Sequence, residues 1–305
     1  MKSPKARSFY LIPLLFVVTG CLDNDPVVVD PGNTKSSVFE SVPLRVLIAP
    51  GQVDEASGLA DSRTLPGYLW THEDAGSDNR LFLLNYEGTS IRGYVLPGII
   101  NRDWEDIAVG GGPQDGVSYL YLGDIGNNDA NPGTTSHFIY RVPELTSLDG
   151  SFAASDIARI TYRYPQGTPD AETLLFDSVT KDLFVVSKEL DKTLLYRLPY
   201  PQATEGVMTA ELIGQIPGVL LTTGGDISAD GQEILVRTYT NVYYWQRKSG
   251  ETIGQALLRQ ATKTLPYELE PQGEAVCFDR DMKGYFTLSE RRTATSVTLN
   301  YYKRK

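Results

Sequence analysis

The chain has 305 residues, 41% of them hydrophobic, with 38 Asp and Glu against 28 Lys and Arg and a formal net charge of −10. Nucleic-acid affinity rests on clustered Lys and Arg, so this balance disfavours DNA and RNA as partners. Two cysteines and two histidines leave no paired ligands for the usual zinc sites and no disulfide framework.

Lys2, Lys5 and Arg7 precede an apolar stretch from Phe9 to Val18 that ends in Val18-Thr19-Gly20-Cys21. The stretch is shorter than the roughly 20 apolar residues of a membrane span. Small residues just before a cysteine fit a lipoprotein signal over residues 1–20, with Cys21 as the acylated mature N-terminus. That puts the protein in the bacterial envelope, lipid-anchored at the outer membrane or the periplasmic face. Leu22 after the cysteine resembles the outer-membrane sorting pattern of enterobacterial lipoproteins. Without the three basic signal residues, 25 Lys and Arg face 38 Asp and Glu, a net −13. Residues 21–38 are rich in turn formers and acids and read as a flexible tether. The folded part then runs over 39–305, a length that suits one closed β-architecture, expected to act as a monomer.

From Val42 to Ile48 stands a strand with no immediate partner. After it, five times, an acidic residue opens a short β-like run: Glu55 to Leu59, Glu105 to Val109, Glu172 to Phe176, Asp226 to Asp230 and Glu274 to Phe278, spaced 48 to 67 residues apart. Further β-like runs follow each. The first unit continues through Tyr68–His72, Arg80–Asn85 and Ser90–Leu96, and the second through Tyr119–Gly123, His137–Val142 and Ile157–Arg163. The third adds Leu183–Ser187, Thr193–Leu198 and Ala210–Ile216, and the fourth Ile234–Tyr239, Val242–Gln246 and Ala256–Lys263. The fifth stops after Tyr285–Ser289 and Ser296–Tyr302, one strand short. Long helical periodicity is absent.

A four-stranded unit repeated in this way cannot cover both of its faces alone and must stack on its neighbours. The predicted fold is therefore all-β, a five-bladed β-propeller. Its N-terminal strand completes the fifth blade and removes an exposed sheet edge. Six blades is the alternative, because the second repeat is the longest. Its excess falls in 127–135, read as a loop, and in the 144–155 connection.

Within a blade the first and second strands are antiparallel, so the start of one and the end of the other share a face. Glu55, Glu105, Glu172, Asp226 and Glu274 are thereby expected to ring one mouth of the central channel. His72, Glu73, Asp124, Lys188, Arg237, Glu290 and Arg291 join them from second-strand ends, and His137 falls near the same face. Trp104, directly before Glu105, is expected at the opening. Ionised carboxylates this close repel and need a compensating partner. Either each acid caps a strand or pairs with Lys188, Arg237 or Arg291, or the acids are metal ligands for a hard cation such as Ca2+, which takes six to eight oxygens. The loops from Asp74 to Asn79 and from Asp124 to Asp129 set oxygen ligands beside glycine, as an ion loop or a turn would. Trp70, Trp104 and Trp245 supply either inter-blade packing or a stacking surface. Cys277, among apolar neighbours, reads as a small buried hydrophobe. No Gly-x-Ser-x-Gly elbow, His-Glu-x-x-His or phosphate-binding glycine loop is present.

Glu55-Ala-Ser-Gly-Leu-Ala60, Asp103-Trp-Glu-Asp-Ile-Ala108 and Gln272-Gly-Glu-Ala-Val276 with Gly284-Tyr-Phe-Thr-Leu-Ser-Glu290 resemble blade motifs of secreted propellers in the phytase-like and SdiA-regulated-like group. The resemblance implies calcium held by the mouth carboxylates and a phosphate or ester substrate whose oxygens meet Lys188, Arg237 and Arg291. Two functions follow as expectations. One is an envelope propeller that binds a small-molecule or protein ligand at its acidic mouth, through Ca2+. The other is a Ca2+-dependent (phospho)esterase.

Overall fold

The computed structural model describes residues 38–127 and 135–305. The predicted signal, Cys21 and the tether up to residue 37 lie outside the described residues, as do residues 128–134 of the 127–135 loop, Asp129 among them. A lone strand, β1 (Leu44–Ile48), precedes the first blade: β2 (Ala56–Asp61), β3 (Tyr68–Glu73), β4 (Arg80–Asn85) and β5 (Ile91–Val95). The second holds β6 (Trp104–Gly111), β7 (Ser118–Asp124), β8 (His137–Pro143) and β9 (Ala158–Arg163). The third has β10 (Ala171–Phe176), β11 (Leu183–Ser187) and β12 (Leu194–Leu198). The short β13 (Met208–Thr209) comes next, before the outer β14 (Glu211–Gln215). The fourth contains β15 (Thr222–Ile227), β16 (Glu233–Thr238), β17 (Val242–Gln246), a helical turn α1 (Ile253–Leu257) and β18 (Lys263–Leu265). The fifth ends the chain with β19 (Gln272–Phe278), β20 (Gly284–Glu290) and β21 (Val297–Lys303).

These strands form five small sheets, each an antiparallel meander from an inner to an outer strand. Inner strands β2, β6, β10, β15 and β19 touch one another in a closed circle, which makes a five-bladed β-propeller. Both faces of an inner strand are covered, so β2 and β10 are buried along their whole length, whereas outer β14 is largely exposed. Five apolar clusters hold the ring, each astride one inter-blade seam. At the seam of blades five and one, Leu59, Leu69 and Leu84 meet Ala275, Phe286 and Leu288. Each such side chain contributes about 1.5–3 kcal/mol on burial, and no blade can bury them without its neighbour.

The ring is sealed as the sequence suggests. β1 pairs antiparallel with β21, from Leu44 opposite Tyr301 to Ile48 opposite Val297. A further bridge joins Phe39 to Arg304. The first and last segments of the described fold thus share one sheet, and β21 is covered by β1 and not left as an open edge. No sixth sheet exists among the described residues. The 144–155 connection carries only the start of a short 3-10 turn, Ala154–Asp156.

Two assignments shift. The fourth inner strand spans Thr222–Ile227, so Asp226 sits near its end and not at its start. Thr222-Thr-Gly-Gly has neither an acid nor an apolar run to mark a strand, yet Gly224 is required there: a Cβ would lie 2.6 Å from the Glu274 carbonyl oxygen of the next inner strand. The run from Ala256 to Lys263 is not a strand. Thr252 and Gln255 form a capping box that starts α1, and pairing resumes only at Lys263. Blade two also gains an edge strand from the following blade, β13 running parallel to β9.

Candidate functional site

A β-bulge interrupts every inner strand near its start, where one extra residue opposes the second strand. A bulge bends the strand and re-aims a side chain. By register the bulged residues are Ser57, Glu105, Glu172, Thr223 and Glu274. Two residues earlier stand Glu55, Asp103, Asp170, Leu221 and Gln272. Just beyond the paired end of the first four second strands come Asp74, Ile125, Lys188 and Tyr239, and at the equivalent position of the fifth stands Glu290, still paired with Gln272. Backbone bonds tie these levels together: Asp74 N donates to Glu55 O, Ile125 N to Asp103 O and Lys188 N to Asp170 O.

The three levels enclose a polar cavity of about 320 Å³ at one end of the channel, lined by Glu55, Ser57, Asp74, Glu105, Glu172, Lys188, Tyr239, Gln272, Glu274, Glu290 and Arg292. Of the five acids expected there, Glu105, Glu172 and Glu274 are buried at equivalent bulges. Glu55 lines the same opening but is exposed, one step outside its strand. Asp226 is elsewhere. It lies deeper in the channel, where its Oδ2 accepts from Phe278 N at 2.9 Å and its Oδ1 from Ile227 N at 2.8 Å, stapling β15 to β19. Asp106 does the same one layer above it, its Oδ2 accepting from Leu174 N at 2.9 Å and Gly225 N at 3.2 Å. In the two blades without a bulge acid, hydroxyls bond the next inner strand: Ser57 Oγ donates to Glu105 O and Thr223 Oγ1 to Gly273 O.

The other expected site residues divide. Lys188 is in the cavity, its Nζ donating to Glu172 Oε1 and standing 5.0 Å from the centre of the Tyr239 ring. Glu290 is there too, 3.8 Å from Arg292. Arg237, expected to face the mouth, is instead wholly buried behind it, donating to Glu270, Tyr267 OH and the carbonyls of Ala275 and Leu288. Its strand end turns it into the seam of blades four and five, where Glu270 supplies the counter-charge. Arg291 pairs with Asp54 at 2.8 Å. Glu73 accepts from Asp54 N at 3.0 Å and from Glu55 N at 3.4 Å. Asp124 pairs with Arg102 and lines a separate cleft with Phe138 and Tyr140. Trp104 is fully buried in the seam of blades one and two, not at the opening, as are Trp70 there and Trp245 in the seam of blades three and four. Alternation from Glu105 faces it inward to the blade, not to the channel. His72 packs edge-on against Trp104 and His137 against Tyr162 and Tyr164. Burial pushes both imidazoles down to about 4, so they are neutral. Cys277 is buried and unpaired.

Two carboxylate triads can each close on one cation: Asp74, Asp103 and Glu105, and Glu105, Asp170 and Glu172, with ligand oxygens within 4.8 Å of one another in each. Oxygens that share one Ca2+ at about 2.4 Å stand no more than about 4.8 Å apart. Glu105 belongs to both. It is 2% exposed, and its Oε1 has no hydrogen-bond partner. Burial, with the charges of Glu172, Asp74, Asp103 and Asp170, pushes its carboxyl well above the usual range. Burial likewise raises Glu274 to about 8 and Glu290 to about 7. Gly126 makes room for this cluster, since a Cβ there would lie 2.1 Å from Glu105 Oε1 and 2.5 Å from Asp103 Cγ. Asp103 and Asp170 were not among the expected site residues. The acid-x-Glu spacing of Asp103-Trp-Glu105 and Asp170-Ala-Glu172 is the signal that finds them.

A larger cavity, about 630 Å³, opens at the opposite ends of the strands beside the ring-closing seam, among Val46, Tyr86, Phe286, Leu299 and Tyr301. Its walls are apolar and its charged groups are engaged. Tyr301 donates to Asp279, Lys283 pairs with Asp281 and Arg280 donates to Ser62 O. The small mouth, with its unsatisfied carboxylate, is the stronger candidate site.

No family model matches the chain and no curated protein is similar to it, so the likeness to the phytase-like and SdiA-regulated-like group rests on the quoted motifs. Among solved structures, a luciferin-regenerating enzyme is 14% identical with TM-score 0.45, over 86% of this chain and 95% of that one. A structure of the nidogen/laminin complex aligns at 10% identity and TM-score 0.44, over 79% and 78%. Hydrazine synthase of Kuenenia stuttgartiensis aligns at 9% and 0.44, over 83% and 96%.

Proposed function

We propose that this chain is a ligand-binding β-propeller of the bacterial envelope, anchored through an acylated Cys21, whose channel mouth holds Ca2+ and recruits a ligand through it. The observation that carries the reading is Glu105 Oε1: a buried carboxylate oxygen with no partner, at the shared corner of two acid triads. Leaving such an oxygen unpaired costs about 1–3 kcal/mol or more, which a bound cation repays. The nearly all-polar lining favours a hard ion with a hydrated or oxygen-rich ligand over an organic cation, which would need apolar walls. Binding is favoured over ester hydrolysis, because two of the three basic groups the hydrolase reading requires, Arg237 and Arg291, are held in ion pairs with Glu270 and Asp54.

Calorimetric titration with CaCl2 tests the ion. Binding is expected, lost at least tenfold in Glu105→Gln, with a higher melting midpoint at saturating calcium. A heat trace and midpoint indifferent to calcium and to EDTA would reject the reading. Anchoring is tested by labelled palmitate, which should enter the wild type and not Cys21→Ser.

A further inference from the structure

We propose that the opposite mouth of the channel is a second binding site, for a small doubly charged oxyanion of the phosphate or dicarboxylate class, held between the guanidinium groups of Arg63 and Arg280. The inference goes beyond the calcium reading and does not depend on it, because the two sites lie at opposite ends of the inner strands.

A cavity of about 450 Å³ opens where those strands finish. β6 contributes Val109 to Gly111, β10 and β15 contribute their last residues Phe176 and Ile227, and Arg63 and Arg280 stand two residues past the ends of β2 and β19. Blades one and five are neighbours in the ring, so both arginines come from the same side of the opening. The turn after β2 holds them both. Ser62 Oγ and Arg63 N donate to Glu144 Oε1 at 2.5 and 3.1 Å. Arg280 donates through its backbone N to Asp61 Oδ2 at 2.7 Å and through Nη1 to Ser62 O at 3.2 Å.

A guanidinium carries five N–H donors and no acceptor. Among the described residues the Arg63 side chain donates to nothing, that of Arg280 donates only to Ser62 O, and neither forms an ion pair. The acids around them are committed elsewhere. Asp281 pairs with Lys283 at 2.8 Å, and Asp279 accepts from Tyr301 OH and from the backbone of Asp281 and Lys283. Asp226 accepts from Ile227 N and Phe278 N, and Asp61 from Tyr86 OH and Arg280 N. The charge of Arg280 acts on Asp61 and that of Arg63 on Asp226 at longer range, yet burial still raises both carboxyls to about 7. Near neutral pH each therefore supplies only part of a counter-charge. A third donor faces the cavity in Ser118, whose Oγ is buried without a partner among the described residues. Half-buried guanidinium groups bind carboxylate and phosphate oxygens two at a time, and two of them balance a double negative charge. The volume lies within the range of small-molecule sites.

The test is calorimetric titration of the purified full-length protein with inorganic phosphate and with succinate, in calcium-free buffer of low ionic strength. At least one of the two should bind, with acetate, a single charge, about tenfold weaker. Arg63→Gln and Arg280→Gln, shown to be folded by circular dichroism, should each lose about tenfold in affinity. On the wild type, the bound dianion should protect Arg63 and Arg280 from phenylglyoxal, read by mass spectrometry, and leave labelling of Arg292 at the acidic mouth unchanged. That measurement decides the matter should either variant not fold. No heat with phosphate or succinate, equal affinity for acetate, unaltered affinity in both folded variants, or labelling of Arg63 and Arg280 that the dianion does not slow would overturn the inference. Calcium binding should be the same in Arg63→Gln as in the wild type, so failure here leaves the calcium reading standing, and failure of that reading leaves this one.

Discussion

Replacing Arg237 by Met distinguishes a buried structural arginine from a mouth residue. The guanidinium is wholly buried. It donates through Nη1 to Leu288 O at 3.1 Å and to Ala275 O, and through Nη2 to Tyr267 OH at 2.7 Å and to Glu270. Met fills much of the volume but leaves two carbonyls and the Glu270 carboxylate without their donors. Among the described residues Glu270 then keeps Thr287 Oγ1 and Asn300 Nδ2 as donors, both on its other oxygen. Breaking one side of a buried pair costs about 3–5 kcal/mol because the remaining charge is uncompensated. Removing the charge as well, in Arg237→Met with Glu270→Gln, should recover about half of that. Urea unfolding at neutral pH, analysed as a double-mutant cycle, reads both values. Calcium affinity should change less than twofold in the same variants. A single-variant loss under about 1 kcal/mol, an absence of coupling to Glu270, or a fall in calcium affinity as large as that of Glu105→Gln would refute the assignment.

Asp61 closes β2 with its Oδ2 accepting from Tyr86 OH and from Arg280 N at 2.7 Å and its Oδ1 unpartnered; burial pushes it up to about 7. A carboxyl that holds its proton more tightly when folded destabilises the fold as pH rises from its unfolded value near 4 to 7, by at most about 4 kcal/mol. Asp61→Asn should remove this fall, so the stability difference between variant and wild type should grow in the variant's favour between pH 4 and 7 and then level off; a difference independent of pH would count against it. Gly126→Ala should weaken calcium binding about tenfold or more, since its Cβ needs the space of Glu105 Oε1, while stability without calcium changes little. Calorimetry and thermal melts separate the two, and unaltered affinity is the adverse result. Burial raises the Cys277 thiol well above its ordinary value, so Ellman's reagent should label it only in denaturant, and rapid labelling of folded protein would contradict its place in the seam of blades five and one.

Much of the fold is legible in the sequence because its signals are local. Short continuous apolar runs such as Arg80–Asn85 and Leu183–Ser187 mark buried strands whose bounds match the structure, and the missing last strand of the fifth repeat points to β1 as its substitute. The fourth blade escapes this reading because Thr222 to Gly225 carry no apolar pattern. Their strand exists because β10 and β19 flank it and Gly224 lets the backbones close. The short helix at Ile253 is misread for a related reason, as its capping box is brief and its apolar residues suit either a strand or a turn.

The site divides in the same way. The sequence by itself determined that an acid recurs with each repeat and so placed Glu55, Glu105, Glu172, Asp226 and Glu274 at equivalent positions, and the bulge register keeps Glu105, Glu172 and Glu274 of these. Only the tertiary structure decided that Asp226 staples strands below them, that Arg237 is claimed by Glu270, that Trp104 is packed away, and that Asp74, Asp103 and Asp170 converge on Glu105. Each of these depends on bulge register and on partners tens of residues distant. A one-residue displacement in a strand sends a side chain to the opposite face, and no spacing within a single repeat encodes which neighbour will meet it there.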